Sequence, residues 1–419
     1  MTSDQDLAAP TRRLLIASEL MYPEMTSTGY YVSAIARDLA ATVSVTVVCG
    51  QPTYSARGTR APRQELWHGV EIRRCWGTTF DKNRVLGRLA NMATLGVSAF
   101  VAALRVLRPG DVALVFTNPP VLPALVAVAC RWRGAACVPI IHDHYPDLLI
   151  AAAGVSEEST VVRVLRAANR WLFAGAKRII VVGRDMKARL ARHYPGVETK
   201  VDVCPNWAEA SSISPASRRD NALLAELGLS NAFVLMYAGN LGYPQELATL
   251  LDGAARLAPD PRFHILVVGD GAKRAWLEAG ILARGLRNMT VLGPRPRHDQ
   301  QQFLNACDVG LVTLVKGMWG VSVPSRLYNF LAAGKPLLGV VEPGSEVDLV
   351  IREERVGWST PPGDVEGFVT AVREATADSD RLQMMGVRAR QAADRAYAGT
   401  TSLSYYRGLV TALLAEGPK

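Results

Sequence analysis

Two successive series of short apolar runs, each run followed by a helix-like stretch, constrain this chain more than any other feature. In the first series strand-like runs fall at 14–17, 43–48, 112–116, 137–141, 178–182 and 200–203. Helical periodicity fills most of the gaps, as at 30–41, 122–133, 161–174 and 186–194. Short β-rich runs alternating with helices predict a parallel sheet wrapped on both faces. Residues 42–80 break the rhythm with Gly, Pro and Arg around a short strand at 70–74, and predict an excursion or extra hairpin. Cys204-Pro205-Asn206-Trp207 and a Ser/Ala/Pro-rich stretch place a hinge. The pattern then restarts, with strands at 233–237, 264–268, 289–292, 309–313 and 336–340. The tail from 381 to 416 reads as helical with a break at Ala398-Gly399. The expected fold is α/β, two Rossmann-like doubly wound domains facing across a cleft. The expected domains are 1–205 and 206–399, with a C-terminal helix near 400–416 packing back on the first.

Composition narrows the class. A chain of 419 residues with 49% hydrophobic and 20% charged residues is globular rather than disordered. Six scattered cysteines lack paired spacing, which predicts reduced thiols, no zinc site and a cytoplasmic protein. The first residues are polar and carry Asp4 and Asp6, unlike a signal peptide. The net charge of +9 sits wholly in residues 1–205, which hold 25 Lys/Arg against 16 Asp/Glu. It is densest at Arg57, Arg60, Arg63, Arg73, Arg74, Lys82, Arg84 and Arg88. No nucleic-acid module accompanies it, so an anionic membrane surface or a phosphorylated acceptor is the expected partner if the charge is functional. Residues 89–104 follow, sixteen uncharged positions, short of the roughly 20 needed to span a bilayer. A buried domain helix is the expectation; one face dipping into the headgroup layer is the alternative.

Three polar, glycine-bearing segments follow strand-like runs in the second half. They are Gly239-Asn240-Leu241-Gly242, Gly269-Asp270-Gly271, and the stretch from Gly320 through Ser322, Val323, Pro324, Ser325 and Arg326 into a helix ending near Gly334. Pro324 suits a first helical turn and Gly334 a C-terminal cap. Such a helix start, with Arg326 and two serine hydroxyls, predicts an anion site for a nucleotide diphosphate. The Gly269 turn lacks the third glycine and later acid of a dinucleotide fingerprint, so it reads first as a tight turn.

Seven segments in order resemble family 4 retaining glycosyltransferases of the GT-B fold. They are Met21-Tyr22-Pro23-Glu24, Thr117-Asn118-Pro119-Pro120, His142-Asp143-His144-Tyr145-Pro146, Pro205-Asn206-Trp207, Tyr237 through Gly242, Val268 through Gly271, and Ser322 through Tyr328. More narrowly the chain resembles bacterial N-acetylfucosamine-type aminosugar transferases of polysaccharide assembly. The resemblance implies a hexosyl transfer from a UDP-sugar to a hydroxyl, with no metal and no cofactor beyond the nucleotide sugar. It implies a catalytic role beside the anomeric carbon for His142 and Asp143. Donor contacts would come from Gly29, Asn240, Gly242, Gln245, Gly269, Leu292, Ser322, Val323, Pro324, Ser325, Arg326 and Asn329. The acceptor could be a polyprenyl-diphosphate-linked sugar at the cytoplasmic face of the inner membrane, or a soluble natural product.

The sequence departs from the family at four places. Asn240 and Gln245 stand where Arg and Lys usually grip the diphosphate, which shifts the load to backbone N–H groups and Arg326. Val321 and Asn329 stand where a pair of glutamates usually meets the donor sugar and the ribose. Two other readings stay open on these residues. One is a GT-B sugar-nucleotide epimerase or hydrolase; the other is a non-catalytic GT-B partner protein.

Overall fold

The structure, a computed structural model, describes residues 12–52, 60–80, 85–208, 210 and 212–416. Eight strands make the first sheet: β1 (Arg13–Ala17), β2 (Ser44–Cys49), β3 (Gln64–Trp67), β4 (Val70–Arg74), β5 (Val112–Phe116), β6 (Ala136–Ile141), β7 (Ile179–Val181) and β8 (Val201–Val203). Their spatial order is β3-β4-β2-β1-β5-β6-β7-β8. Every neighbouring pair is parallel except β3 and β4, the hairpin expected within 42–80. Its turn uses His68 (φ 48°) and Gly69 (φ 81°), both left-handed, as a two-residue hairpin requires. Six strands make the second sheet: β9 (Phe233–Ala238), β10 (Phe263–Val268), β11 (Met289–Leu292), β12 (Val309–Thr313), β13 (Leu337–Val340) and β14 (Gly357–Thr360). They run parallel in the order β11-β10-β9-β12-β13-β14. β5 and β12 are buried at all five positions, because helices cover both faces.

The strand order places the crevice. In the second sheet the direction of winding reverses between β9 and β12, and a crevice opens beyond the strand ends at such a point. The segments leaving those two strands are the Gly239 turn and the loop leading to Arg326. Gly310 in β12 sets the depth of the helix Arg326–Ala332. A Cβ there would stand 2.4 Å from the Phe330 ring, so this helix lies directly on the strand. Phe330 is fully buried, worth about 1.5–3 kcal/mol. Gly334 closes the helix in the left-handed region (φ 63°), and Lys335 N–H returns to Phe330 O at 2.9 Å.

The chain crosses between the lobes twice, side by side. Ala208 on the outward pass bridges Ala398 on the return, with Ala208 N–H donating to Tyr397 O at 3.2 Å. The helix Gly399–Glu416 then lies on the first lobe against the helix Ser27–Leu39, burying Tyr406, Val410 and Leu413 in that core. A second apolar cluster runs through both lobes, from Met186 to Val323 and Leu327.

Two expectations about the basic lobe change. The helix Val85–Val106 is two-faced rather than buried: Leu95, Ala99, Ala103 and Val106 pack inward, while Leu86, Leu89, Val97 and Val101 are exposed. Only 28% of its most apolar window, Leu89–Val106, is covered. Arg74 is no surface charge. Its buried guanidinium pairs with Glu65 and donates to the Pro62 and Tyr22 carbonyls at 2.7 Å. Arg57, Lys82, Arg84 and the Arg88 side chain lie outside the described residues. All six cysteines are buried free thiols.

Candidate active site

Two glycine turns interlock at the ends of β9 and β10. Leu241 N–H donates to Asp270 O and Lys273 N–H to Leu241 O, both at 2.8 Å. A Cβ on Gly269 would stand 1.9 Å from Gly239 O, and one on Gly271 would stand 2.6 Å from Asn240 Oδ1. No side chain fits at either position, so the Gly269 turn serves as a buttress for the Gly239 turn. Gly242 is buried and its carbonyl accepts from Gln245 N–H at 3.1 Å. The exposed Asn240 side chain lies beside Gly242 and Gly271. Leu292 ends β11 next to this pair, its carbonyl accepting from Gly269 N–H at 3.1 Å.

Arg326 reaches over these turns. It is 9% exposed, lies 4.1 Å above the Tyr237 ring, and donates from Nη1 to Gln245 Oε1 at 3.0 Å. A Cβ on Gly239 would touch its Nη2 at 3.0 Å, so glycine leaves room for the guanidinium. Tyr237 O–H donates to Asn240 O at 2.6 Å, tying the ring to the same turn. Among the described residues no carboxylate pairs with Arg326. A buried cation without a counter-ion is costly, and an incoming anion relieves that cost. Asn329 follows three residues on, hence on the same helical face. It is 7% exposed, and its buried Oδ1 lacks a hydrogen-bond partner. The helix has only seven residues, too short for its dipole to make an anion site by itself. Ser325 makes no side-chain cap bond, and it and Pro324 stay partly exposed.

The opposite wall comes from the end of β6. The His142 ring stands edge-on to Phe116 (5.2 Å) and Tyr31 (6.1 Å), and its buried Nε2 has no partner. Burial pulls its pKa down to about 4, leaving the imidazole neutral near pH 7. Asp143 bridges Ser322 of the other lobe as an isolated antiparallel pair. Burial raises its pKa to about 6, opposed by a hydrogen bond from the Ser322 hydroxyl. His144 N–H donates to Val321 O at 2.8 Å. Val321 is fully buried, its N–H donating to Met318 O at 3.0 Å, and Val323 packs on Gly183, so both valines fill the seam. Gly29 lies in the first turn of the helix Ser27–Leu39. Its N–H is taken by the Thr26 hydroxyl at 3.2 Å, and a Cβ would stand 2.6 Å from Glu24 O. It shapes that turn.

Behind this wall, His144, Asp147 and His193 bring ligand atoms within 4.8 Å of one another, a set able to face a metal ion. Arg189 Nε lies 2.6 Å from Asp147 Oδ2, and Arg166 lies 3.6 Å from Oδ1. Burial works to raise the Asp147 pKa, but hydrogen bonds from His144 and Arg189 outweigh it and hold the carboxyl well below the usual range. Two guanidinium groups face this carboxylate, and its Oδ1 is left without a hydrogen-bond partner.

Sequence reasoning missed the groups that join the lobes. Arg297 lies 3.7 Å over Tyr30, and Arg192 lies 4.7 Å over Trp319. Arg184 pairs with Glu346 at 3.0 Å and Glu353 at 2.6 Å. Such pairs join distant positions with no local pattern to mark them.

Residues 27–207 match the family described as Glycosyl transferase 4-like domain, and residues 222–392 match Glycosyl transferases group 1. The chain is 28% identical to the probable glycosyltransferase WbjE of Pseudomonas aeruginosa, over 96% of this chain and 99% of that one. It is 25% identical to WcaI of Escherichia coli K12, described as a colanic acid biosynthesis glycosyl transferase, over 84% and 89% of the two chains. The crystal structure of Anabaena HepE in complex with UDP-glucose superposes with a TM-score of 0.72, covering 96% of this chain and 99% of that one at 16% identity.

Proposed function

We propose that this chain, a glycosyltransferase with the GT-B fold, moves a sugar from a UDP-linked donor to a hydroxyl acceptor with retention at the anomeric carbon. The observation that carries the reading is Arg326, a buried guanidinium without a carboxylate, laid across the backbone of the Gly239 turn. Charge develops on the leaving diphosphate in the transition state. A fixed cation in a water-poor site stabilises it without reorganising at the moment of reaction. Asn329 would hold the ribose hydroxyls through its unsatisfied Oδ1, and the end of β11 at Leu292 would meet the base. Neutral His142 and Asp143 would face the sugar. In a front-face displacement the leaving phosphate oxygen takes the acceptor proton, so the chemistry asks for no strong protein base.

The sugar is an N-acetylated or deoxy aminosugar in this reading, supported by the order of the sequence segments. The acceptor is a polyprenyl-diphosphate-linked sugar at the cytoplasmic membrane face, supported by the exposed apolar edge of the helix Val85–Val106 and by exposed Arg60, Arg63 and Arg105. The test is a panel of UDP-sugars offered with and without lipid-linked acceptors. Products are followed by mass spectrometry, and the anomeric configuration is read by NMR. An α-linked product from an α-configured donor is expected. An inverted product removes retention, free sugar formed without acceptor favours a hydrolase, and failure to bind UDP removes the reading.

A further inference from the structure

The loop 317–322 leaves β12 in the second lobe, yet four consecutive residues of it are held by the first. Arg189 donates to Trp319 O. Asp185 Oδ2 accepts from Gly320 N–H at 3.0 Å. His144 N–H donates to Val321 O at 2.8 Å, and Asp143 bridges Ser322. The second lobe adds Glu342, whose Oε2 accepts from Gly317 N–H at 2.9 Å and Trp319 N–H at 2.8 Å.

Asp185 stands apart among these contacts. It sits in the first turn of the helix Arg184–His193 with 3% exposure. The same Oδ2 also accepts from Glu346 N–H at 3.0 Å, at the start of the helix Glu346–Glu354, while Oδ1 accepts from its neighbour Met186 N–H at 2.8 Å. One carboxylate therefore fixes two separate segments of the opposite lobe. Gly320 is shaped to meet it. Its φ is 69°, and a Cβ would stand 2.7 Å from the Asp185 carbonyl and 2.8 Å from Arg189 Cβ. Removing the carboxylate would leave two buried N–H groups unsatisfied.

We propose that Asp185 is the positioning residue of the donor-sugar loop, holding 317–322 in working shape from the opposite lobe. This rests on the reading that the loop faces the donor sugar. It is consistent with the burial of Val321, whose carbonyl is itself held by His144 N–H of the first lobe.

The test uses the full chain with Asp185→Asn and Gly320→Ala, read by calorimetry with UDP, UDP-glucose and UDP-N-acetylglucosamine. Each variant is expected to bind UDP within about twofold of wild type while losing about tenfold on the sugar-bearing donors. In the double variant the losses on the sugar-bearing donors are expected to be less than additive, since both substitutions disturb the Asp185–Gly320 contact. Hydrogen exchange at the Gly320 amide should speed up in Asp185→Asn. Where Asp185→Asn unfolds, Gly320→Ala alone carries the comparison. Equal loss on UDP and UDP-sugar, an unchanged ratio, or additive losses overturn the proposal. Wild type binding no nucleotide overturns the donor reading with it, whereas wild-type binding with an unchanged ratio overturns only this one.

Discussion

Arg326→Ala is the sharpest perturbation the site offers. The guanidinium donates to Gln245 and lies on the Tyr237 ring, with no carboxylate among the described residues to neutralise it. A hydrogen bond from a charged donor is worth about 1.5–3 kcal/mol, so losing one to the diphosphate should raise the UDP dissociation constant between about tenfold and 150-fold. Uridine lacks the anion and should bind the variant as it binds wild type. Stability without ligand should respond differently. The substitution forfeits the ring contact, about 1–2 kcal/mol, but also removes a buried uncompensated charge whose cost is of similar scale. The two nearly cancel, and the melting temperature should stay within about 4 °C. Arg326→Lys keeps the charge without the planar fork and should recover part of the affinity. The exposed Arg63→Ala should change nothing. Calorimetry with UDP and uridine reads all of this. Equal losses on the two ligands, or an unchanged UDP constant, would refute the assignment.

Asn329→Ala should raise the donor Michaelis constant about tenfold, near 1.4 kcal/mol, and should abolish discrimination between UDP and 2′-deoxy-UDP. Undiminished discrimination places the ribose elsewhere. Burial lifts the Asp143 pKa from an unfolded value near 3.8 to about 6. The native state therefore holds a proton that the unfolded chain has lost between those values, and stability from this group falls as pH rises through the window. Asp143→Asn should raise the melting temperature at pH 8 more than at pH 4.5, and an equal shift at both sinks that account. Leu89→Asp with Val97→Asp, both on the exposed edge of the helix Val85–Val106, should weaken association with anionic vesicles. Unchanged sedimentation would mean that this edge does not touch lipid.

The parallel strands were legible because burial on both faces forces unbroken apolar runs, as in Val112–Phe116 and Val309–Thr313. The edge strand Gly357–Thr360 carries no such mark: it is four residues long and half exposed, so its composition resembles a loop. The break at Ala398-Gly399 was readable from glycine. Arg74 was misread because net charge counts a buried, paired guanidinium like a solvated one. Within the site, glycines followed by polar residues at strand ends pointed to Gly239, Gly269 and Arg326. They did not show that Gly269 is a buttress while Gly239 makes room for a cation, since that depends on which turn lies outside the other. Asp185 and Arg189 lay in an ordinary helical sequence. Their role exists only because another lobe arrives 130 and 135 positions later in the chain.

The paired crossing at Ala208 and Ala398 has a mechanical consequence. One tether between two bodies permits twisting in every direction. Two tethers fastened side by side act as a spine, and the remaining easy motion is bending about that line, as covers move on a binding. Substrates must then enter and products leave at the fore-edge, away from the spine. Cutting the chain after Ala398 would remove one tether together with the apolar strip that seals the first cover, leaving it without its backing.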